Sequence, residues 1–377
     1  MIYRDFQDMK LSALGFGAMR LPVIDGDDAK VDEAAALRMV DTAMESGINY
    51  YDTAWGYHGE NSELVMGKAL ARYHRDSFYL ATKFPGYDAA YWDKVEEIFE
   101  RQLEKLGVDY FDFYLFHNVC EMNIDAYLDD GKYGIYSYLM KQKENGRIRH
   151  LGFSCHGSVD VLKRFLDAYG KDMEFCQLQL NYLDWTFQNG KEKVAILDEL
   201  NIPVLVMEPL RGGKLANPAP EYADQLKAIN PDEDVAALAF RFLQSVPSVK
   251  VILSGMSNDE QLDKNLKTFS EDNKLSDAQM ATLLDVADKM VSVGTVPCTA
   301  CHYCVSHCPQ GLDIPHLISL YNEHAYTGGG FIAPMALSAL PEDKLPQACL
   351  HCQSCEQVCP QQIGISEVME KFSALLG

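Results

Sequence analysis

The chain has no uninterrupted run of about eighteen apolar residues, so it offers no segment able to cross a bilayer as a helix. It also lacks an apolar stretch near its start. Met1 to Lys10 is polar and charged, and no export signal is expected. Positive charge is scarce. Only 33 Lys and Arg stand against 55 Asp and Glu, a net charge of −22. Such a chain is repelled by nucleic-acid phosphates and anionic membrane surfaces, so neither is expected as a partner. Cysteine is thin over most of the chain: before Cys298 only Cys120, Cys155 and Cys176 occur. No short-period repeat or low-complexity tract appears before the tail. These absences together predict a globular protein of a reducing, cytoplasmic setting, where clustered cysteines serve metals or catalysis in preference to disulfides.

What is present is strongly patterned. A hydrophobic content of 47% in 377 residues suits a chain with a real core. From Leu14 to about Phe269, short apolar runs alternate with longer segments of helical spacing. The pattern predicts strands at Leu14–Gly17, Ile48–Asp52, Phe78–Lys83, Phe111–His117, Ile148–Ser154, Glu174–Gln179, Val204–Glu208 and Val249–Leu253. It predicts helices at Asp32–Ser46, Ser62–Ala71, Tyr91–Leu106, Gly134–Asn145, Ser158–Tyr169, Lys191–Leu200, Val235–Ser245 and Asp259–Phe269. Eight strand–helix pairs over roughly 260 residues is the count of a (β/α)₈ TIM barrel. An open doubly wound sheet would need a third glycine at the proper spacing after Gly15-Phe16-Gly17, and none follows. The other 8 of the 11 cysteines fall between Cys298 and Cys359. That shift places a domain boundary near Val293 to Pro297, just after a helical stretch at Ser276–Met290. The expected division is a barrel over 1–292 and a smaller domain over 293–377.

Active sites of such barrels sit at the carboxyl ends of the strands. Asp52 closes the second strand, with Tyr57 five residues on; Lys83 closes the third and His117 the fourth. Each residue alone reads as a cap, a turn or a solvated charge, but all four at neighbouring strand ends form a proton-transfer set. Reducing a carbonyl by hydride needs a proton on the oxygen. Tyr57 can supply it, Lys83 is expected to lower the phenol's pKa, Asp52 to hold Lys83, and His117 to orient the carbonyl.

Leu14-Gly15-Phe16-Gly17-Ala18-Met19-Arg20, Asp52-Thr53-Ala54-Trp55-Gly56-Tyr57, Glu63-Leu64-Val65-Met66-Gly67-Lys68-Ala69-Leu70 and Gly146 to Ser154 all resemble aldo-keto reductases. The resemblance covers nearly the whole barrel. It implies an oxidoreductase whose Asp, Tyr, Lys and His tetrad falls on Asp52, Tyr57, Lys83 and His117, with NADP or NAD bound across the barrel mouth. It implies cofactor contacts at Gly17, Ser154, Gln177, Met207, Pro209, Leu210, Gly212, Gly255, Ser257, Gln261 and Asn265. The chain departs from the family at several of these. Cys155 follows Ser154 where Asn is frequent, and Met207 stands where an aromatic stacks on the nicotinamide. Gly255 and Gln261 stand where NADP-preferring members carry Lys and Arg, with Arg211 or Lys214 as substitutes. NADPH and NADH therefore both stay open. Tyr57, Trp55, Phe84, Trp185 and Tyr182 are candidates to line an apolar substrate pocket.

The tail holds Cys298-x2-Cys301-x2-Cys304-x3-Cys308-Pro309 and Cys349-x2-Cys352-x2-Cys355-x3-Cys359-Pro360. This is the bacterial ferredoxin spacing for [4Fe–4S] clusters, in which the fourth cysteine of each run serves the other cluster. The predicted sets are Cys298, Cys301, Cys304 and Cys359 for one cluster, and Cys349, Cys352, Cys355 and Cys308 for the other. Zinc, which favours two pairs of ligands, fits the doubled runs less well. The tail is thus expected to be a ferredoxin-like 2[4Fe–4S] domain, small and either α+β or helical. Two functional readings follow. One is an enzyme that reduces a carbonyl or oxidises an alcohol with NAD(P), its clusters structural or fed by a ferredoxin or flavoprotein. The other is an electron-transfer protein whose clusters deliver electrons to a barrel-bound substrate or partner without NAD(P).

Overall fold

The computed structural model describes residues 1–292 and 294–376, so Val293, at the expected boundary, lies outside the described residues. The chain forms two compact units, Met1–Val286 and Ala287–Gly377. The first opens with an antiparallel hairpin of β1 (Tyr3–Phe6) and β2 (Met9–Ser12). Eight strands follow: β3 (Leu14–Gly17), β4 (Tyr50–Asp52), β5 (Tyr79–Phe84), β6 (Phe111–Val119), β7 (Ile148–Cys155), β8 (Cys176–Gln179), β9 (Val204–Met207) and β10 (Val249–Gly255). They close into a parallel barrel in the order β10-β3-β4-β5-β6-β7-β8-β9. All eight strand expectations and all eight helix expectations are met, with ends shifted by a few residues.

Local chemistry fixes the helix starts. The side chains of Asp32, Ser158, Asp234 and Asn258 each accept the backbone N–H three residues on, capping the helices Glu33–Glu45, Val159–Tyr169, Val235–Gln244 and Asp259–Thr268. Gly67 is needed where the helix Ser62–Leu70 meets Val95–Leu106. A β-carbon there would come within 2.5 Å of the Lys105 carbonyl oxygen.

The hairpin was not foreseen from the sequence. Its Phe6 and Leu11 are buried in one cluster with Tyr50, Phe113, Phe175 and Leu205 from the strand interior. The Phe6 ring lies 5.3 Å from that of Phe113. Burying one such phenylalanine is worth about 2 kcal/mol, so the hairpin plugs the amino-terminal end of the barrel and leaves the carboxyl-terminal rim for chemistry. The parallel register sets that rim. Gly17 lies opposite both Asp52 and Gly255, Ser154 opposite Gln177, and Gln179 opposite Met207.

The second unit is helical, with no strand among the described residues. Its helices Ile314–Thr327, Ile332–Ser338 and Ile365–Leu376 bury Leu317, Ile318, Leu337, Met369 and Phe372 around Cys304 and Cys355. Asn322 ties the segment before Cys298 to the first of these helices. It accepts from Val296 N at 2.7 Å and donates to Val296 O at 2.9 Å.

Candidate active site and cysteine cages

At the rim, β4 delivers Asp52 and β5 delivers Lys83 to a common point. Lys83 Nζ donates to Asp52 Oδ1 at 2.5 Å and to Thr53 O at 2.7 Å. The Lys83 and Asp52 side chains are 1% and 4% exposed, so this is a buried ion pair. Burial raises the Asp52 carboxyl and lowers the Lys83 ammonium from their ordinary values, and each charge opposes the other's shift. Tyr57 follows in the turn after β4, with Lys83 Nζ 5.1 Å from its ring centre. His117, on β6, sets its ring 6.0 Å from that of Tyr57 at 80°. The structure therefore brings all four candidate catalytic residues together.

It corrects one expectation about them. Tyr57 was expected to be acidified by Lys83. Burial instead pushes the phenol well above its ordinary value, and the carboxylates of Asp52 and Glu208 add to the shift. Lys83 is already engaged by Asp52, and the depth of the site outweighs what remains of its field. His117 is pushed well below the ordinary imidazole value by burial first, then by Lys83 and His156, which keeps it neutral. Its Nδ1 is buried and has no hydrogen-bond partner among the described residues.

Several supporting residues escaped the sequence reading. Glu63 is fully buried and accepts from Thr82 Oγ1 and Gln102 Nε2, both at 2.7 Å. Gln102 also donates to the Lys83 carbonyl at 3.0 Å, so this network braces β5 behind the lysine. Lys105 reaches Glu63 Oε2 at 3.3 Å and stacks 4.0 Å over the Trp55 ring, bracing the turn that carries Tyr57. Tyr87 places its ring 5.1 Å from His117; an aromatic four residues past Lys83 was the available signal. The expected pocket aromatics are mostly packing. Phe84 is fully buried, Trp55 lies against Tyr91, and Trp185 lies edge-on to Phe242.

The expected cofactor contacts line the same rim. Gln177 donates to Asp52 Oδ2 at 3.3 Å, while its Oε1 is buried without a hydrogen-bond partner among the described residues. Ser154 Oγ accepts from Asn118 N at 2.7 Å. After β9, Met207-Glu208-Pro209-Leu210 turns through left-handed Glu208, Arg211, Gly212 and Gly213. Arg211 Nε is bound to buried Asp184 Oδ1 at 3.0 Å, so it braces this loop. After β10, Gln261 accepts from Ser257 N at 2.8 Å, and Asn265 donates to Ser254 Oγ at 3.0 Å. The missed cation is Arg20. Its stem passes 3.1 Å from where a β-carbon on Gly255 would sit, and its guanidinium 3.6 Å from the same point on Gly212. A charged residue three positions past Gly17 was the only clue.

In the second unit the eight tail cysteines separate into two groups of four. Cys298, Cys301, Cys304 and Cys359 line one recess of about 310 Å³, with Ile318 and Ile363 beside them. Cys308, Cys349, Cys352 and Cys355 line another of about 350 Å³. Among the described residues no three His, Cys, Asp or Glu side chains close on a single metal ion. Two four-cysteine runs of this spacing suit cubanes better than zinc. Ala300 and His302 in the first run, and His351 and Gln353 in the second, all take left-handed backbone with φ between 50° and 61°. These are the same two positions in each run. Non-glycine residues tolerate that conformation only where the surroundings demand it, and here the demand is to wrap each run around its recess.

Comparison with known proteins agrees with this geometry. The model of the aldo/keto reductase family matches residues 13–288, and that of a 4Fe-4S dicluster domain matches residues 297–363. The chain belongs to the aldo/keto reductase family. It is 26% identical over 286 residues to the L-galactose dehydrogenase of Arabidopsis thaliana, covering 70% of this chain and 86% of that one. It is 24% identical over 333 residues to the NADH-specific methylglyoxal reductase of Escherichia coli (strain K12), covering 75% and 97%. Among solved structures, the holo form of an aldo-keto reductase from Bacillus halodurans superposes with a TM-score of 0.62 at 26% identity, covering 76% of this chain and 96% of that one. An aldo-keto reductase from Klebsiella pneumoniae in complex with NADPH shares the fold, with a TM-score of 0.58 at 19% identity and coverage of 76% and 96%. This member of the family is an oxidoreductase with an iron–sulfur domain appended, and none of its described helices is long and apolar enough to cross a membrane.

Proposed function

We propose that the barrel, taken as residues 1–292, reduces a small-molecule carbonyl or oxidises the matching alcohol with a nicotinamide dinucleotide. The tail, residues 293–377, holds two [4Fe–4S] clusters on its eight cysteines. The observation that carries the reading is the convergence of Tyr57, His117 and the buried Lys83–Asp52 pair on one rim.

A nicotinamide bound across the rim would supply the hydride. Tyr57, held protonated by its burial, gives its proton to the substrate oxygen, which becomes strongly basic as hydride arrives at carbon. Lys83, near the ring, compensates the negative charge left on the phenol oxygen, and Asp52 keeps Lys83 aimed. His117, neutral, directs the carbonyl oxygen toward Tyr57. The dinucleotide fits the residues present at one end. The unpartnered Gln177 Oε1 can accept from a carboxamide N–H beside Ser154. At the other end Arg20 lies where it can neutralise phosphate between the Gly212 and Gly255 loops. Uncharged Gly255 and Gln261 give no preference for a 2′-phosphate.

The cysteine cages fit cubanes by donor type, number and spacing. Clusters held there supply single-electron transfer, with a ferredoxin or flavoprotein as the fitting partner class. The second reading, substrate reduction by cluster electrons without NAD(P), is favoured by one feature, an acidic side chain on the loop expected to meet phosphate.

One experiment separates the two. Protein purified without oxygen is mixed with NADPH or NADH, with and without a carbonyl, in wild type and Tyr57→Phe. Carbonyl-dependent nicotinamide oxidation by wild type alone supports the first reading. Absence of binding and reaction with either nicotinamide removes it.

A further inference from the structure

The loop after β9 would meet the dinucleotide's pyrophosphate, and its hydrogen bonds show which group meets it now. The Arg211 N–H donates to Glu208 O at 3.1 Å, and the Gly213 N–H to Leu210 O at 3.0 Å. That leaves the Gly212 N–H, at the exposed tip, for an anion. It donates to Glu208 Oε2 at 2.6 Å. The loop's own carboxylate therefore holds the donor that a phosphate oxygen would take.

Glu208 is fixed there from both sides. Its carbonyl accepts from Asn181 Nδ2 at 3.0 Å, and its φ of 56° lies in the left-handed region, where any residue with a β-carbon is strained. The same carboxylate bears on Tyr57, whose phenol it helps to raise. It thus acts on both the proton donor and the Gly212 N–H. Arg20 reaches toward Gly212, where its guanidinium lies 3.6 Å from the point a β-carbon would take.

We propose that Glu208 lowers dinucleotide affinity by competing with the pyrophosphate for the Gly212 N–H, so that this chain binds nicotinamide dinucleotides more weakly than its barrel otherwise allows. The proposal rests on the nicotinamide reading above. Binding requires the carboxylate to leave Gly212, and a charged hydrogen bond is exchanged for one of similar strength with added repulsion between two anions.

The test measures NADPH, NADH and inorganic pyrophosphate binding to the cluster-loaded wild type, Glu208→Gln and Glu208→Ala, by calorimetry without oxygen. The expected result is an affinity gain of about tenfold for all three ligands in both variants, larger at low ionic strength. Glu208→Ala keeps the test decisive if the glutamine variant fails to fold, and thermal melting followed by tryptophan fluorescence checks both. Equal or weaker binding by the variants, with NADPH still bound by wild type, overturns the proposal and leaves the nicotinamide reading intact. Failure of wild type and both variants to bind any dinucleotide overturns both.

Discussion

Lys83 Nζ sits 2.5 Å from Asp52 Oδ1, with both side chains almost wholly withdrawn from water. Removing one partner of such a pair strands the other charge. Lys83→Met should destabilise the barrel by about 3–5 kcal/mol, and the double change with Asp52→Leu by less, because no lone charge is left. Trp55, Trp92 and Trp185, all in the first unit, are the chain's 3 tryptophans. Urea unfolding followed by tryptophan fluorescence therefore reports the barrel alone. Equal losses for the single and double variants would show that the stranded Asp52 charge is not what the single variant suffers from.

Tyr57→Phe keeps the ring and removes the transferable proton. Carbonyl reduction should fall by about 10²–10⁴ in kcat/KM, while dinucleotide affinity and urea midpoint stay within error of wild type. A variant with near-normal kcat/KM would move the proton donor elsewhere, Tyr87 being the neighbouring hydroxyl.

The cysteine grouping makes a pairwise prediction. Cys359→Ser should alter the same cluster signal in low-temperature electron paramagnetic resonance as Cys298→Ser, and Cys308→Ser the same one as Cys349→Ser. If Cys359→Ser instead groups with Cys349→Ser, each run closes its own cage. Stripping iron with a chelator should disorder the tail helices and leave tryptophan emission largely unchanged.

Glu174 lies at the other end of the barrel. Burial works to raise its carboxyl, but hydrogen bonds from His150, Lys143 and Gln7 outweigh this and bring it down to about 2 from 4.5. A carboxylate depressed in the folded state adds stability above its unfolded pKa and loses it as pH falls toward the folded value. The contribution, up to about 3 kcal/mol, should be complete at neutral pH and vanish between pH 4.5 and about 2. Glu174→Gln should lower the urea midpoint of the barrel at neutral pH and converge on wild type in acid. A gap between the two that does not narrow with acid would show that shape, not charge, makes Glu174 matter.

Much of this was legible in the sequence because the relevant signals are local. Short continuous apolar runs give strands buried on both faces, so Asp52, Lys83 and His117 could be placed at strand ends, and the cysteine spacing prints the cages directly. The hairpin was not legible, since Tyr3–Phe6 and Met9–Ser12 carry charged, exposed residues that hide the buried Phe6 and Leu11. Arg20 was missed because its partners, Gly212 and Gly255, meet it only when β10 closes on β3. The direction of the Tyr57 shift depends on depth, which no spacing reveals. The Glu63–Thr82–Gln102 brace joins a helix, a strand and another helix, and appears only once they pack.

The two cages are interlaced. Three cysteines of each recess come from one run and the fourth from the other, so neither half of the tail lines a complete recess alone. A chain truncated between Cys308 and Cys349 would keep four of the eight tail cysteines and no finished cage. Cluster loading should then behave as a single event, set by when the last of the tail is made and folded, with singly loaded chains rare at any stage of biogenesis.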